Sequence, residues 1–209
     1  VTNRVYASTM GKYIMVSNDN GNNWDILYDV SIAPFLEPEV RQMRLTNSGT
    51  ALSFQTYYAN GSSLNNVTVL DLNTLAVLKQ YLIPEMELGQ NFRSYSIHDD
   101  STFDTIFIST ESNKDRAYYS TNGGTTWTKV FDAIDYESVM LNDGAMDPNN
   151  PQKLYLARNG GPGNVDGSLM ISEDAGQTWS LTLEGLILQS MAINPLNSDE
   201  IYVGTGVIW

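Results

Sequence analysis

The sequence predicts an all-β fold assembled from repeated four-stranded antiparallel sheets, and three observations carry that prediction. A hairpin motif occurs three times, as Ser17-x-Asp19-x-Gly21-x-Asn23-Trp24, Ser120-x-Asn122-x-Gly124-x-Thr126-Trp127 and Ser172-x-Asp174-x-Gly176-x-Thr178-Trp179. Its copies are spaced regularly: 52 residues separate the last two and 103, about twice that, separate the first two, a period that means stacked sheet units. A second element also repeats, since Ala145–Leu156 matches Ala192–Val203 as an inner strand, a Pro/Asn turn and a second strand.

Taken in chain order, Tyr13–Val16 before the first motif and Trp24–Tyr28 after it alternate as the two arms of a hairpin. With a strand near 3–9 ahead of them, the partial unit 1–30 contributes the last three strands of a sheet. The motif Ser and Asp offer short oxygen acceptors to turn N–H groups, and the Gly takes a positive φ that a side chain opposes. The Trp then lands at the start of the return strand, where its ring is expected to pack between sheets, so that replacement by Ala costs on the order of 3–5 kcal/mol.

A full unit follows at about 40–82, in which Arg44–Gly49 leads to Ala51–Phe54 as a loose copy of the strand–turn–strand element. The period demands a hairpin near residue 70, and Val67–Leu78 supplies it without the Ser, Gly or Trp. Ser96–Asp100 leading to Thr105–Ile108 opens the next unit, at about 92–132, and a further unit covers about 139–184. Residues 187–209 begin another, with Trp209 where its next outer strand leads toward a further box. Val5–Ser8 and Ile201–Gly204 are the same strand of different units, four registers of 49 apart. A four-unit ring would need both in one place, so residues 1–209 are expected to form one domain, or an arc of a larger ring of roughly 300–400 residues.

These motifs resemble the Asp-box, or bacterial neuraminidase repeat, of β-propellers of the sialidase, sortilin and xyloglucanase kinds. The resemblance implies a β-propeller of four-stranded blades, of which the chain holds about four. It implies fold over the whole length and chemistry nowhere. The sialidase kind carries an Arg-Ile-Pro signature and an arginine triad, and neither is found here; its Tyr–Glu nucleophile pair has no match, because the adjacent Tyr136 and Glu137 would point to opposite faces of a strand. The catalytic aspartates of the xyloglucanase kind match no Asp of this sequence, and the cysteine-rich module of the sortilin kind is not present.

Composition narrows the function classes. The chain has 24 acidic and 11 basic residues, a net charge of −13, which repels a phosphate backbone and makes nucleic acid an unsuitable partner. It contains no cysteine, which removes disulfides, thiolate metal sites and cysteine nucleophiles. There is no apolar run of membrane-spanning length and no charged-then-apolar leader, so direct membrane insertion is not expected. An initial Val1 points to a processed or trimmed chain, and an acidic, cysteine-free β-domain fits an exported bacterial protein, secreted or at the cell surface.

Candidate ligand-binding residues lie where inner strands meet the loops joining units. Alignment of the inner strands puts Arg41, Arg93, Asn142 and Gln189 at equivalent positions, near loops carrying Glu37, Glu39, Glu85, Glu87, Asp135, Tyr136, Glu137 and Arg158. Arginines beside carboxylates and a tyrosine can hold a sugar or a carboxylate, and solvated rim residues look the same in a sequence. The motif residues Ser17, Asp19, Gly21, Trp24, Ser120, Asn122, Gly124, Trp127, Ser172, Asp174, Gly176 and Trp179 read as structural, since their spacing lacks the successive acids of a calcium loop. The single His98 beside Asp99 and Asp100 reads as a turn residue. The Gly-rich segment 159–167 lacks the helix and lysine of a phosphate loop and reads as a flexible connection. Asn60-Gly61-Ser62 and Asn66-Val67-Thr68 are glycosylation sequons, meaningful only in a eukaryotic secretory setting.

No cofactor or metal is expected, and no residue is assigned a catalytic role. The expected function is a non-catalytic binding or interaction module, with a glycan or protein ligand on the loop face and the remaining blades or domains of a parent polypeptide as neighbours. The alternatives are a sialidase- or xyloglucanase-like glycoside hydrolase whose site is completed by blades outside this sequence, and an intracellular assembly factor of the kind seen in photosystem biogenesis, which the boxes resemble and against which the acidic charge argues.

Overall fold

The computed structural model describes residues 3–9, 11–31, 38–46, 48–58, 65–83, 91–111, 115–136, 140–159 and 167–206, with backbone alone at 135 and 136. It is all-β, and the sheets fall into two compact units, Val1–Gly89 and Gln90–Trp209.

The first unit contains a three-stranded sheet, β1 (Val5–Ser8), β2 (Tyr13–Ser17) and β3 (Asp25–Asp29), and a four-stranded one, β4 (Glu39–Leu45), β5 (Ala51–Tyr57), β6 (Asn66–Asp71) and β7 (Val77–Tyr81). All pairings are antiparallel between sequence neighbours. Ile14, Val30, Val40, Leu52, Phe54, Leu70 and Leu72 form the buried core, with Tyr6, Leu27, Tyr28 and Met43 packed on it. Strands β5 and β6 are buried along almost their whole length. Such strands, covered on both faces, have no need of an apolar–polar alternation.

The second unit contains β8 (Asn91–Ile97), β9 (Ile106–Glu111), β10 (Arg116–Ser120) and β11 (Thr128–Asp132) as one four-stranded sheet. A 3₁₀ turn at Ala133–Tyr136 leads to the next, β12 (Met140–Met146), β13 (Leu154–Asn159), β14 (Ser168–Ser172) and β15 (Ser180–Thr182). A pair, β16 (Leu188–Ile193) and β17 (Ile201–Thr205), follows. One core joins the two four-stranded sheets through Phe107, Tyr119, Phe131, Leu141, Leu154, Leu156 and Met170 among others. A second core joins Tyr155, Ala157, Leu169 and Leu188 with the partly buried Met191, Ile193, Ile201 and Val203. Because Tyr136 belongs to a 3₁₀ turn, the strand geometry expected at Tyr136-Glu137 does not hold; Glu137 itself lies outside the described residues.

The boxed hairpins share one hydrogen-bond scheme. In the third, Ser172 Oγ accepts from Asp174 N (3.3 Å) and Gly176 N (2.8 Å) and donates to Asp174 Oδ1 (2.8 Å), while Asp174 accepts from Thr178 N (2.8 Å) and Thr178 Oγ1 (2.7 Å). The first repeats it with Asn23 as donor to Asp19. In each turn two successive residues have positive φ, Asn20 and Gly21, Gly123 and Gly124, Ala175 and Gly176. The first of each pair carries no signal in the motif.

The tryptophans diverge. Trp179 packs against the preceding sheet, donates Nε1–H to Val130 O at 2.9 Å and lies beside the buried core. Trp24 is 38% exposed and donates to its own Gly21 O at 3.0 Å. The expectation that each ring packs between sheets therefore fails at Trp24, whose indole folds back over its own turn. Trp127 is half-buried.

The unboxed hairpin shows what replaces the motif. Asp71 pairs with Ala51 as Ser17, Ser120 and Ser172 pair with the first residues of β1, β9 and β13. The return strand resumes at Val77, opposite Leu70, so this turn is two residues shorter than a boxed one. Asp71 Oδ1 alone accepts from Asn73 N (2.8 Å), Thr74 N (2.7 Å) and Thr74 Oγ1 (3.0 Å).

Candidate functional site

The inner strands β4, β8, β12 and β16 each carry a buried apolar residue at the first or second position, Val40, Phe92, Leu141 or Leu188, which anchors the strand between sheets. The next residue is Arg41, Arg93, Asn142 or Gln189. In β8, β12 and β16 the ladder skips that residue, between Phe92 and Ser94, Leu141 and Asp143, and Leu188 and Ser190. In β4 the ladder breaks just after it, between Arg41 and Arg44, where Gln42 has φ 46°. A bulge turns a skipped side chain away from the regular pleat, so backbone deformation re-aims Arg93, Asn142 and Gln189, whereas Arg41 keeps its ladder pairing with Gln55.

In the second unit two of the skipped residues, Arg93 and Asn142, tie neighbouring sheets together. Arg93 donates from Nε to Asn142 O (3.0 Å), from Nη2 to Asn142 Oδ1 (3.4 Å) and from Nη1 to Glu111 (2.6 Å). Asn142 in turn donates from Nδ2 to Leu188 O at 2.6 Å. A parallel line runs one residue on: Ser94 Oγ meets Ser109 Oγ (2.6 Å) and Gly144 O (3.0 Å), and Asp143 accepts from Met191 N (2.8 Å). Asp115, almost fully buried, accepts from Leu141 N at 2.6 Å. Gln189 is exposed, and Arg158 is half-buried on β13 opposite Leu141.

In the first unit Arg41 is arranged otherwise. Its Nε and Nη2 donate to Glu39 Oε2 (3.0 and 2.7 Å), and its guanidinium lies 3.8 Å from the centroid of the Tyr57 ring. Glu39 pairs with Tyr57 across the ladder as Asn91 pairs with Glu111. Tyr57 and Glu111 thus hold one place at the end of the second strand, and each faces the arginine of its own sheet. Sequence reasoning missed both; the signal was the cross-strand register, which needs the strand ends to the residue. Both arginines keep more than a third of the side chain exposed, 39% for Arg41 and 36% for Arg93.

The box acids are elsewhere and are held as structural anions. Hydrogen bonds from the Asn23 backbone and side chain, then from Ser17, lower the Asp19 pKa to about 2. Those from the Thr178 hydroxyl and backbone, then from Ser172, do the same for Asp174. No three His, Asp or Glu side chains among the described residues are grouped to hold a metal ion. Glu37, Glu85, Glu87 and Glu137 lie outside the described residues, as do the side chains of Asp135 and Tyr136 and most of the Gly-rich segment.

The sequence model of the BNR/Asp-box repeat matches residues 118–129, which contain the second boxed hairpin. No curated protein matches the chain in sequence. Among solved structures, the chain is similar to YCF48 bound to a D1 peptide, with TM-score 0.62, 16% identity and coverage of 98% of this chain and 59% of that one. It is also similar to the GH74 xyloglucanase of Xanthomonas campestris, with TM-score 0.66, 12% identity and coverage of 98% and 34%. YCF48 of Cyanidioschyzon merolae gives TM-score 0.64, 14% identity and coverage of 97% and 63%. The chain carries BNR/Asp-box repeats, its sheets match the blades of propeller proteins, and it spans between a third and two thirds of the length of these three.

Proposed function

We propose that the chain is a non-catalytic binding module whose glycan or protein ligand meets the rim where the inner strands begin. The observation that carries this reading is the Arg41 assembly. Glu39 and Tyr57 fix the guanidinium in one orientation, yet 39% of the side chain is exposed. A guanidinium flat on an aromatic ring, beside a carboxylate, offers donors, an acceptor and a stacking face to a polar ligand. Within the second unit, taken by itself, Arg93, Asn142, Gln189 and Arg158 stand at the corresponding strand ends. The likeness to a propeller bound to a peptide supports a protein ligand. In this reading the protein is exported, secreted or at the surface of a bacterium, which its acidic, cysteine-free composition supports.

The test is to probe glycan and peptide arrays with the labelled chain and to assay reporter glycosides in parallel. Capture that Arg41→Ala abolishes, without glycoside turnover, is the expected result. Hydrolysis that a single carboxylate substitution abolishes would instead make the chain part of a glycoside hydrolase.

A further inference from the structure

The second box is the one without an acid, and its Asn122 is followed by Gly123. Asn-Gly is the dipeptide in which the following backbone nitrogen most easily reaches the side-chain amide carbon, because glycine has no Cβ to obstruct the approach. We propose that Asn122 is a latent modification site, which the folded hairpin shields from deamidation and which converts to an acid once the hairpin opens.

The shield is visible in the bonding. The attacking nitrogen, Gly123 N, donates its hydrogen to Asp104 O at 2.9 Å, and Gly123 is fixed at φ 67°. The amide under attack is held at both ends: Oδ1 accepts from Thr126 N (2.9 Å) and Ser120 Oγ (3.0 Å), and Nδ2 donates to Thr126 Oγ1 (2.8 Å). In the open hairpin Gly123 N loses its proton to base and bonds to Asn122 Cγ. The Cγ–Nδ2 bond breaks, ammonia leaves with a proton, and water opens the cyclic imide at one of its two carbonyls.

The two products differ in what the fold accepts. Opening that leaves the normal backbone gives an aspartate, and the hairpin is then Ser-x-Asp-x-Gly-x-Thr-Trp. Thr178 Oγ1 already donates to Asp174 Oδ2 at 2.7 Å in the third box, so rotation of the Thr126 hydroxyl is enough to accommodate the acid. The other opening inserts a methylene into the main chain between 122 and 123. That displaces Gly124 N and Thr126 N, which bond to Ser120 Oγ (3.0 Å) and Asn122 Oδ1 (2.9 Å).

The experiment follows residue 122 by mass-spectrometric peptide mapping of the full chain at pH 8, in native buffer and in unfolding urea. Deamidation in the native chain is expected to be slower by at least about tenfold, because it must pass through opening of the hairpin. Equal rates would overturn the proposal. Ser120→Ala, which removes an acceptor from the turn, is expected to raise the native rate several-fold; if that variant fails to fold, the wild-type comparison decides alone. Asn122→Asp is expected to melt within about 2 °C of wild type, and chains carrying the β-linked product are expected not to recover the native transition. Recovery at the wild-type midpoint would also overturn the proposal.

Discussion

Asp174 and Asn122 occupy one place in two hairpins, and the comparison isolates what the acid contributes. Both accept from the backbone N–H four residues on, at 2.8 and 2.9 Å, but Asp174 does so as an anion whose pKa is lowered from 3.8 to about 2. A folded-state pKa below the unfolded one stabilises the fold above 3.8, and that contribution is lost as pH falls toward about 2. Asp174→Asn is therefore expected to lower the neutral-pH melting temperature modestly and to flatten its decline across that acid window, so that variant and wild type converge toward pH 2, as read by melting against pH. Ala175 precedes the box glycine at φ 58°, a region that disfavours a Cβ. Ala175→Gly is expected to raise stability by about 1 kcal/mol in urea unfolding.

At the scale of the hairpin, the same residue type does unequal work. Trp179 bonds to Val130 of the neighbouring sheet and packs on its core, whereas Trp24 bonds within its own turn. Trp179→Ala is expected to cost about 3–5 kcal/mol and Trp24→Ala about 1 kcal/mol, measured by chemical denaturation. Gly167 immediately precedes β14, at a point where a Cβ would stand 2.0 Å from Leu186 O. Gly167→Ala is expected to prevent normal pairing of the β14 end, seen as lost amide protection from hydrogen exchange there. The hairpins were legible because a turn is a local event: Ser, Asp and Gly at fixed offsets state which N–H groups need partners and where φ turns positive. The fate of each indole was not, since it depends on which sheet lies beside it. The shortened turn at Asp71 was legible as a position but not as a mechanism, because one carboxylate can replace Ser and Asp together.

At the scale of the molecule, periodicity carried the sheet architecture into the sequence, since every unit must present the same faces to its neighbours. The candidate site was legible only as an alignment of four positions. The bulge that re-aims Arg93, Asn142 and Gln189, and Tyr57 and Glu111 that meet the two arginines, depend on register across strands that no motif marks. The consequence is a division of labour at matched positions: Arg93 spends its donors on Glu111 and on Asn142 of the adjacent sheet, and Arg41 rests on Glu39 and Tyr57 of its own. The most direct measurement is denaturant unfolding of Arg93→Ala and Arg41→Ala side by side. The account predicts a loss of about 1–3 kcal/mol for Arg93→Ala and no more than about 0.5–1 kcal/mol for Arg41→Ala; equal losses, or a larger loss at Arg41, would contradict it.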